Sequence, residues 1–313
     1  MAFFLRPLSS EADIPRIVEL VNTVNPEPAS VETFRERYYK APPGGISPIV
    51  AVDQTGQIAG YVTISHAPFP DGFWLRIIVD PLKRHQGIGS RLYNSALTIA
   101  QAHAMTQLIS EVRENCSEGL LFAQHRDFQV ARHLLVSRLY VATFDESRFS
   151  GVIEAVENTG IRFFTLADIT MTPDVQRKHH ELYCRSAADN PATAGWEAPS
   201  FESYCQRVFE APHYRADGHV IAADGDNWVG MSALEYYAHT HSMHNAFTGV
   251  NRAYRGRHVA LALKLLTMRC AHKYGAHYVY TNNDSTNDPI LTVNRKLGYQ
   301  VEPGFYILSR SLS

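Results

Sequence analysis

One numerical relation limits what this chain of 313 residues can fold into: its two halves repeat each other at an offset of 170 or 171 positions. In the first half, Ile49–Asp53, the turn Gln54–Gln57 and Ile58–Ile64 read as a β-hairpin. In the second, Val220–Asp224, Gly225–Asn227 and Trp228–Leu234 repeat it, with Gly60 matching Gly230. A strand, a turn rich in Arg and Gly, and a helix follow in each half. These are Trp74–Val79, Asp80–Gly89 and a helix from Ser90 to about Ala104, then Asn245–Val250, Asn251–Ala260 and a helix from Leu261 to about Tyr274. Gly275 stands where a helix C-cap is expected. Val79 matches Val250, Arg84 matches Arg255, and Asp127-Phe128 matches Gly298-Tyr299. One offset held across a hairpin, a loop and a distant dipeptide favours a duplicated unit over a single large domain.

The openings also correspond. Phe3–Arg6 precedes a helical stretch at Asp13–Val24, and Ile161–Phe164 precedes one at Pro173–Ala187. Glu146–Val156 reads as a connecting helix, which places the domains at 1–150 and 151–313. Helices mixed with hairpins imply the α+β class, each domain a mixed, mostly antiparallel sheet flanked by helices.

Composition narrows the function. Hydrophobic residues at 45% and charged residues at 19% fit a globular chain, and a net charge of −2 gives no general attraction to nucleic acid or an anionic membrane. Cys116, Cys184, Cys205 and Cys270 form no C-x-x-C pair, so no metal site is expected and the thiols read as reduced, in a cytoplasmic protein. The N-terminus lacks the pattern of a signal peptide, and no apolar run reaches the ~20 residues of a membrane span.

The strand–turn–helix unit has a specific physical use. A helix N-terminus carries unpaired N–H groups and partial positive charge, and a turn of small residues directs several amides at one anion. Arg84 and Arg255 add fixed charge, and Gly87 and Gly89 remove side chains where a ligand approaches. There is no G-x-x-x-x-G-K-[ST] loop, and Gly87-x-Gly89 lacks the third glycine of the dinucleotide fingerprint.

Val79-x-Pro81-x-x-Arg84-x-x-Gly87-x-Gly89 resembles the V-x-P-x-x-[RQ]-x-x-G-x-[GA] signature of the GCN5-related N-acetyltransferase (GNAT) superfamily. The resemblance implies that the turn's amides hold the diphosphate of acetyl-CoA and that pantetheine lies where the preceding strand parts from its neighbour. It assigns cofactor binding to Val79, Arg84, His85, Gln86, Gly87, Ile88, Gly89 and Ser90. The matching residues of the second copy are Val250, Arg255, Gly256, Arg257, His258, Val259, Ala260 and Leu261. There His258 stands in place of the first glycine, and Gly256 lies two residues earlier, which predicts weaker binding or a shifted pose. Asn287 through Asn294 to Gly298-Tyr299 is similar to the family's N-x-x-x-x-x-x-x-N-x-x-L-G-[FY] tail. The resemblance spans nearly the whole chain and extends to tandem members of the mycothiol synthase type.

Acyl transfer to an amine needs a base for the amine proton, a polarised thioester carbonyl and a stabilised or protonated thiolate. No G-x-S-x-G nucleophile motif is present. The resemblance gives the carbonyl to the valine amide and the base to the position six residues before that valine. Phe73 stands there in the first copy and His244 in the second. On a regular strand His244, Ala246, Thr248 and Val250 share one face. Asp71 and Glu111 are alternative bases in the first copy, although Glu111 reads as an outward-facing surface carboxylate. Where the family carries an acid tyrosine, Ala123 and Asn294 stand instead, so thiolate protonation must come from water or another group, or one copy is catalytically idle; Asn294 is kept with His244 as a candidate catalytic-site residue of the second copy. This makes the second copy the catalytic one and gives the first the better cofactor turn.

His239 and His241 share a strand face as two zinc ligands would, but no carboxylate follows at ligand spacing. Tyr38-Tyr39, Tyr236-Tyr237 and the segments Asn25–Gly45 and Asn190–Pro212 are candidate acceptor-pocket elements. The expected reaction is transfer of an acetyl group from acetyl-CoA to a small-molecule amine. Alternatives are a protein N-terminal or lysine acetyltransferase and a non-catalytic acyl-CoA-binding module. Two fused copies imply a monomer acting as a pseudo-dimer, or a homodimer.

Overall fold

The computed structural model describes residues 3–8, 10–25, 27–32, 34–35, 48–67 and 71–312. Tyr38-Tyr39 and most of the first acceptor segment lie outside them. Along the chain run β1 (Phe3–Pro7), α1 (Ile14–Asn22), β2 (Ile49–Asp53), β3 (Ile58–His66), β4 (Gly72–Val79), α2 (Ile88–Ala102), β5 (Gln107–Arg113), α3 (Ser117–Gln124) and β6 (Gln129–Tyr140). Then come α4 (Val152–Glu157), β7 (Ile161–Thr165), α5 (Pro173–Ala187), α6 (Phe201–Val208), β8 (Tyr214–Asp224), β9 (Asn227–Tyr237), β10 (Ser242–Val250), α7 (Val259–Lys273), β11 (Tyr278–Asp284), α8 (Asp288–Leu297) and β12 (Gln300–Ser311). The expected tandem α+β architecture is present.

The chain forms two compact units: residues to Ala131 together with Phe305–Ser313, and Arg132–Gly304. The division therefore falls at Ala131 and not near 150, and the last nine residues return to the first unit. In the first unit β1, β2, β3 and β4 pair antiparallel in sequence order, and β4 pairs parallel with β5. In the second, β7 to β10 do the same and β10 pairs parallel with β11. The final strand of each is exchanged between repeats. Phe305–Ser311 pairs antiparallel with β5, whereas β6 pairs antiparallel with β11. The outer edge of each parallel strand needs a partner. The alternation within a strand says which face is buried but not which repeat supplies that partner, so the sequence boundary misses the exchange.

Apolar stripes fix the layers. In α2, Ile88, Leu92, Tyr93, Ala96 and Ala100 are buried and pack on Leu75 and Leu108, while α1 buries Ile17, Leu20 and Val21 against Val50, Val52 and Tyr61 on the opposite face. In the second unit α7 is buried nearly all round, and Leu182 of α5 packs with Ile221, Trp228 and Met231. Gly275 has φ 62°, the left-handed cap expected just past α7. One strand departs from expectation. A bulge between Asn245 and Phe247 shifts the register of β10, so His244, Ala246, Thr248 and Val250 do not share a single face.

Candidate functional site

Two things assemble the first site. The parallel pairing of β4 with β5 stops at Leu75 and Ser110, although the strands continue to Val79 and Arg113. A gap opens where they part. Beyond β4, the Asp80 carboxylate accepts from the Leu82 amide at 2.9 Å, Arg84 is extended, and His85 and Gly87 turn left-handed at φ 60° and 82°. That path starts α2 at Ile88, and the amides of Ile88, Gly89 and Ser90 have no acceptor within the helix.

A cavity of about 610 Å³ occupies the gap, walled by Leu75, Ile77, Ser110, Val112, Tyr93 and Phe122. Of the family-implied residues, Val79, Arg84, His85, Gly87, Ile88, Gly89 and Ser90 are on its wall, and the exposed Gln86 is not. Its rim carries the cations Lys83, Arg84 and Arg126 beside His85 and the carboxylate of Glu118. Arg126 donates to Ser90 Oγ at 2.7 Å and lies 3.6 Å from the Phe122 ring centroid. Burial lowers the Arg126 pKa. Glu118 accepts from Arg84 at 2.9 Å and lies 3.3 Å from the His85 ring, and the Arg84 hydrogen bond draws its pKa down. Glu111 is on the cavity wall, 3.7 Å from Arg76, and is not an outward surface carboxylate. Asp71 is not on that wall; its carbonyl accepts from the amides of Thr106 and Gln107.

The second unit repeats the turn with its residue types interchanged. Gly256 and His258 take the left-handed positions at φ 76° and 61°, and α7 starts at Val259. The Asn251 side chain accepts from the Ala253 amide at 3.2 Å, as Asp80 does in the first unit. His258 therefore leaves the path of the turn unchanged. Val250, Val259 and Leu261 are buried, Ala260 is half-buried, and Arg257 and His258 are exposed. Asp189 bridges Arg252 at 2.6 Å and Arg255 at 2.7 Å, chiefly through hydrogen bonds that lower its own pKa.

His244 sits on the last paired rung of β10 and β11, just before the bulge. Its Nδ1 is 3.0 Å from Glu235 Oε2 and its ring stacks on Tyr280 at 4.6 Å. Glu235 also meets His213 Nε2 at 3.4 Å and accepts from the Tyr237 hydroxyl at 3.0 Å. Burial alone would raise the Glu235 pKa, but the bonds from His213 and His244 outweigh it and hold the carboxylate well below its ordinary range. An ionised Glu235 fixes the proton of His244 on Nδ1 and leaves Nε2 as the acceptor. Asn294 is buried. Its oxygen accepts from Lys264 Nζ at 2.6 Å and its amide donates to Asn283 Oδ1 at 2.8 Å. Lys264, Glu235 and Asp189 escaped the sequence reading. Lys264 alone carried a signal there, as one charge within the apolar helix Val259–Leu266. His239 and His241 join no metal-binding group, since no cluster of three ligating side chains occurs among the described residues. Nor is any helix among them long and apolar enough to cross a membrane.

The parted parallel strands, the amide-lined turn and its duplication are the features of a tandem GNAT-like fold. Residues 14–125 match the Acetyltransferase (GNAT) family. No curated protein matches. Solved structures share the fold along the whole chain. A tandem GNAT protein from the clavulanic acid biosynthesis pathway is 19% identical with a TM-score of 0.77, covering 99% of this chain and 98% of its own. A GCN5-related N-acetyltransferase from Sphaerobacter thermophilus is 17% identical with a TM-score of 0.76, covering 99% and 95%. A GCN5-related glucosamine N-acetyltransferase region of a fungal multi-domain GH3 β-N-acetylglucosaminidase is 14% identical with a TM-score of 0.75, covering 98% of this chain and 38% of that one.

Proposed function

We propose that the chain is an acetyl-CoA-dependent N-acetyltransferase that acts on the amine of a small molecule, with a diphosphate cradle in each unit and the chemistry in the second. The observation that carries acyl-CoA binding is the cavity between β4 and β5. It combines helix-terminal amides, rim cations and an apolar gap between strands, matching in order the diphosphate and pantetheine of one ligand. When bound, acetyl-CoA supplies the thioester. The chain supplies orientation, a base and an apolar gap between strands.

The His244–Glu235 pair favours the second unit for chemistry. His244 Nε2 takes the amine proton, and Glu235 holds the tautomer and stabilises the imidazolium. The net charge of −2 gives no general attraction to nucleic acid or an anionic membrane, in keeping with a small-molecule acceptor. A second reading keeps transfer in the first unit with Glu111 as base, favoured by its place on the cavity wall. Thiol release from acetyl-CoA across an amine library, with His244→Ala and Glu111→Gln compared, tests both. Loss on His244→Ala alone supports the second unit, loss on Glu111→Gln alone moves the chemistry to the first, and no release with any amine leaves an acyl-CoA-binding module.

A further inference from the structure

Packing does not explain Lys264. It is 1% exposed in the middle of α7, beside the neutral side chains of Asn294 and Tyr299. Nζ donates to Asn294 Oδ1 at 2.6 Å and lies 4.6 Å from the Tyr299 ring centroid. No carboxylate pairs with it among the described residues. Burial alone pushes its pKa down to about 7, and burial raises that of Tyr299, its titratable neighbour. An ammonium taken from water without a counter-charge is costly, and an apolar side chain of the same volume would pack there at less expense in stability.

Its position says what it faces. The residues 171 positions before Lys264, Asn294 and Tyr299 are Tyr93, Ala123 and Phe128, and all three line the cavity of the first unit. The corresponding positions of the second unit therefore carry a lysine, an amide and a phenol. Asn294 also holds the position where the GNAT resemblance expects an acid, and an amide cannot serve as one.

We propose that Lys264 is the proton donor to the departing CoA thiolate in the second unit, with Asn294 aiming its ammonium. This rests on the reading of the second unit as catalytic. The amine nitrogen bonds to the thioester carbon, the C–S bond breaks and its electron pair leaves on sulfur. One amine proton passes to His244 Nε2, one Lys264 proton passes to sulfur, and solvent returns a proton from His244 to Lys264.

The test compares Lys264→Met, Lys264→Met with Asn294→Tyr, and His244→Ala. Lys264→Met should lower kcat with acetyl-CoA by about 100-fold while KM changes little, and adding Asn294→Tyr should restore part of it. A readout independent of turnover is the ultraviolet titration of the thiolate of bound CoA. The native chain should show a component ionising at lower pH than Lys264→Met does, and the difference between the two titrations cancels the contribution of the first unit. Native turnover in Lys264→Met, with His244→Ala inactive, overturns the donor role and leaves the catalytic reading standing. Superimposable thiolate titrations overturn it as well. If the native chain transfers nothing but the low-pH component is present, the placement of Lys264 beside sulfur stands and the catalytic reading falls.

Discussion

Gly87 and His258 hold the same left-handed backbone position at the start of α2 and α7, with φ 82° and 61°. Two residues earlier His85 and Gly256 form a second matched pair, at 60° and 76°. Each turn thus contains one glycine and one histidine in a conformation that favours glycine, and the order is reversed between the units. A non-glycine residue there carries strain of order 1 kcal/mol, so His85→Gly and His258→Gly should each stabilise the chain by a fraction of that. Thermal unfolding checks it, and a lower Tm in both would show that the histidines make contacts that outweigh the strain.

Each turn arginine already has a carboxylate partner, Glu118 on Arg84 and Asp189 on Arg255. A diphosphate must compete with those carboxylates for the same cations. Glu118→Gln should therefore tighten CoA binding in the first unit by a few fold, and added salt should narrow the gap. Calorimetric titration measures it. Weaker binding in Glu118→Gln would mean that the carboxylate orders the turn for its ligand.

His244→Ala should reduce turnover by about 10²- to 10⁴-fold, the usual range for a positioned base. Glu235→Gln should cost less, because it disturbs the tautomer of His244 without removing its ring. Steady-state rates across pH decide this. Unchanged turnover in His244→Ala at every pH would remove it from the mechanism.

A buried pair of imidazoles sets an acid limit on stability. Tyr204 and His179 Nδ1 are 2.9 Å apart, and His179 Nε2 lies 3.3 Å from His219 Nδ1. Burial lowers both histidine pKa values, that of His219 from 6.5 to about 4. Below 6.5 the unfolded chain binds protons that the folded chain refuses, so stability falls as the pH drops from 6.5 toward 4. For His219 alone the loss is about 3 kcal/mol. Paired carboxylates such as Glu235, held below their ordinary range, lose their contribution only at lower pH. Denaturant unfolding at pH 7.5, 6 and 5 should show the decline, and His219→Gln should flatten it. A native chain equally stable at pH 7.5 and 5 would contradict this.

The strand exchange meets its tightest contact at Gly304, where an added Cβ would lie 1.9 Å from the Leu134 carbonyl oxygen. Neither backbone can move without breaking the pairing of β6 or β12. Gly304→Ala should therefore destabilise the second unit by about 2 kcal/mol or more. Deleting Phe305–Ser313 should cost the first unit the partner of β5 and the Arg310 bond to Tyr93 on the cavity wall. Loss of CoA binding by the truncated chain would follow. Full binding without those residues would show that the exchanged strand is dispensable.

Much of this was legible in the sequence because it is local. The hairpins, the turns and the helices after them follow from apolar runs, glycines and one offset. The helix foreseen from Pro173 to Ala187 has those bounds in the fold. What stayed hidden depends on partners far along the chain. The exchange of β6 and β12 is a choice between equivalent edges, and the bulge at Asn245–Phe247 breaks an alternation that reads as regular. Glu235 lies on the strand beside His244, nine residues away, and only the register of β9 with β10 brings them opposite. Glu111 looked like a surface residue because its exposure depends on where β4 and β5 part.

The functional reading depends on two turns of one shape each serving as a seat for a diphosphate. Calorimetric titration of the intact chain with CoA tests that most directly, repeated with Arg84→Glu and with Arg255→Glu. Two equivalents should bind the native chain, and each substitution should remove one of them. A native chain that binds no CoA, or one whose binding neither substitution changes, would contradict it.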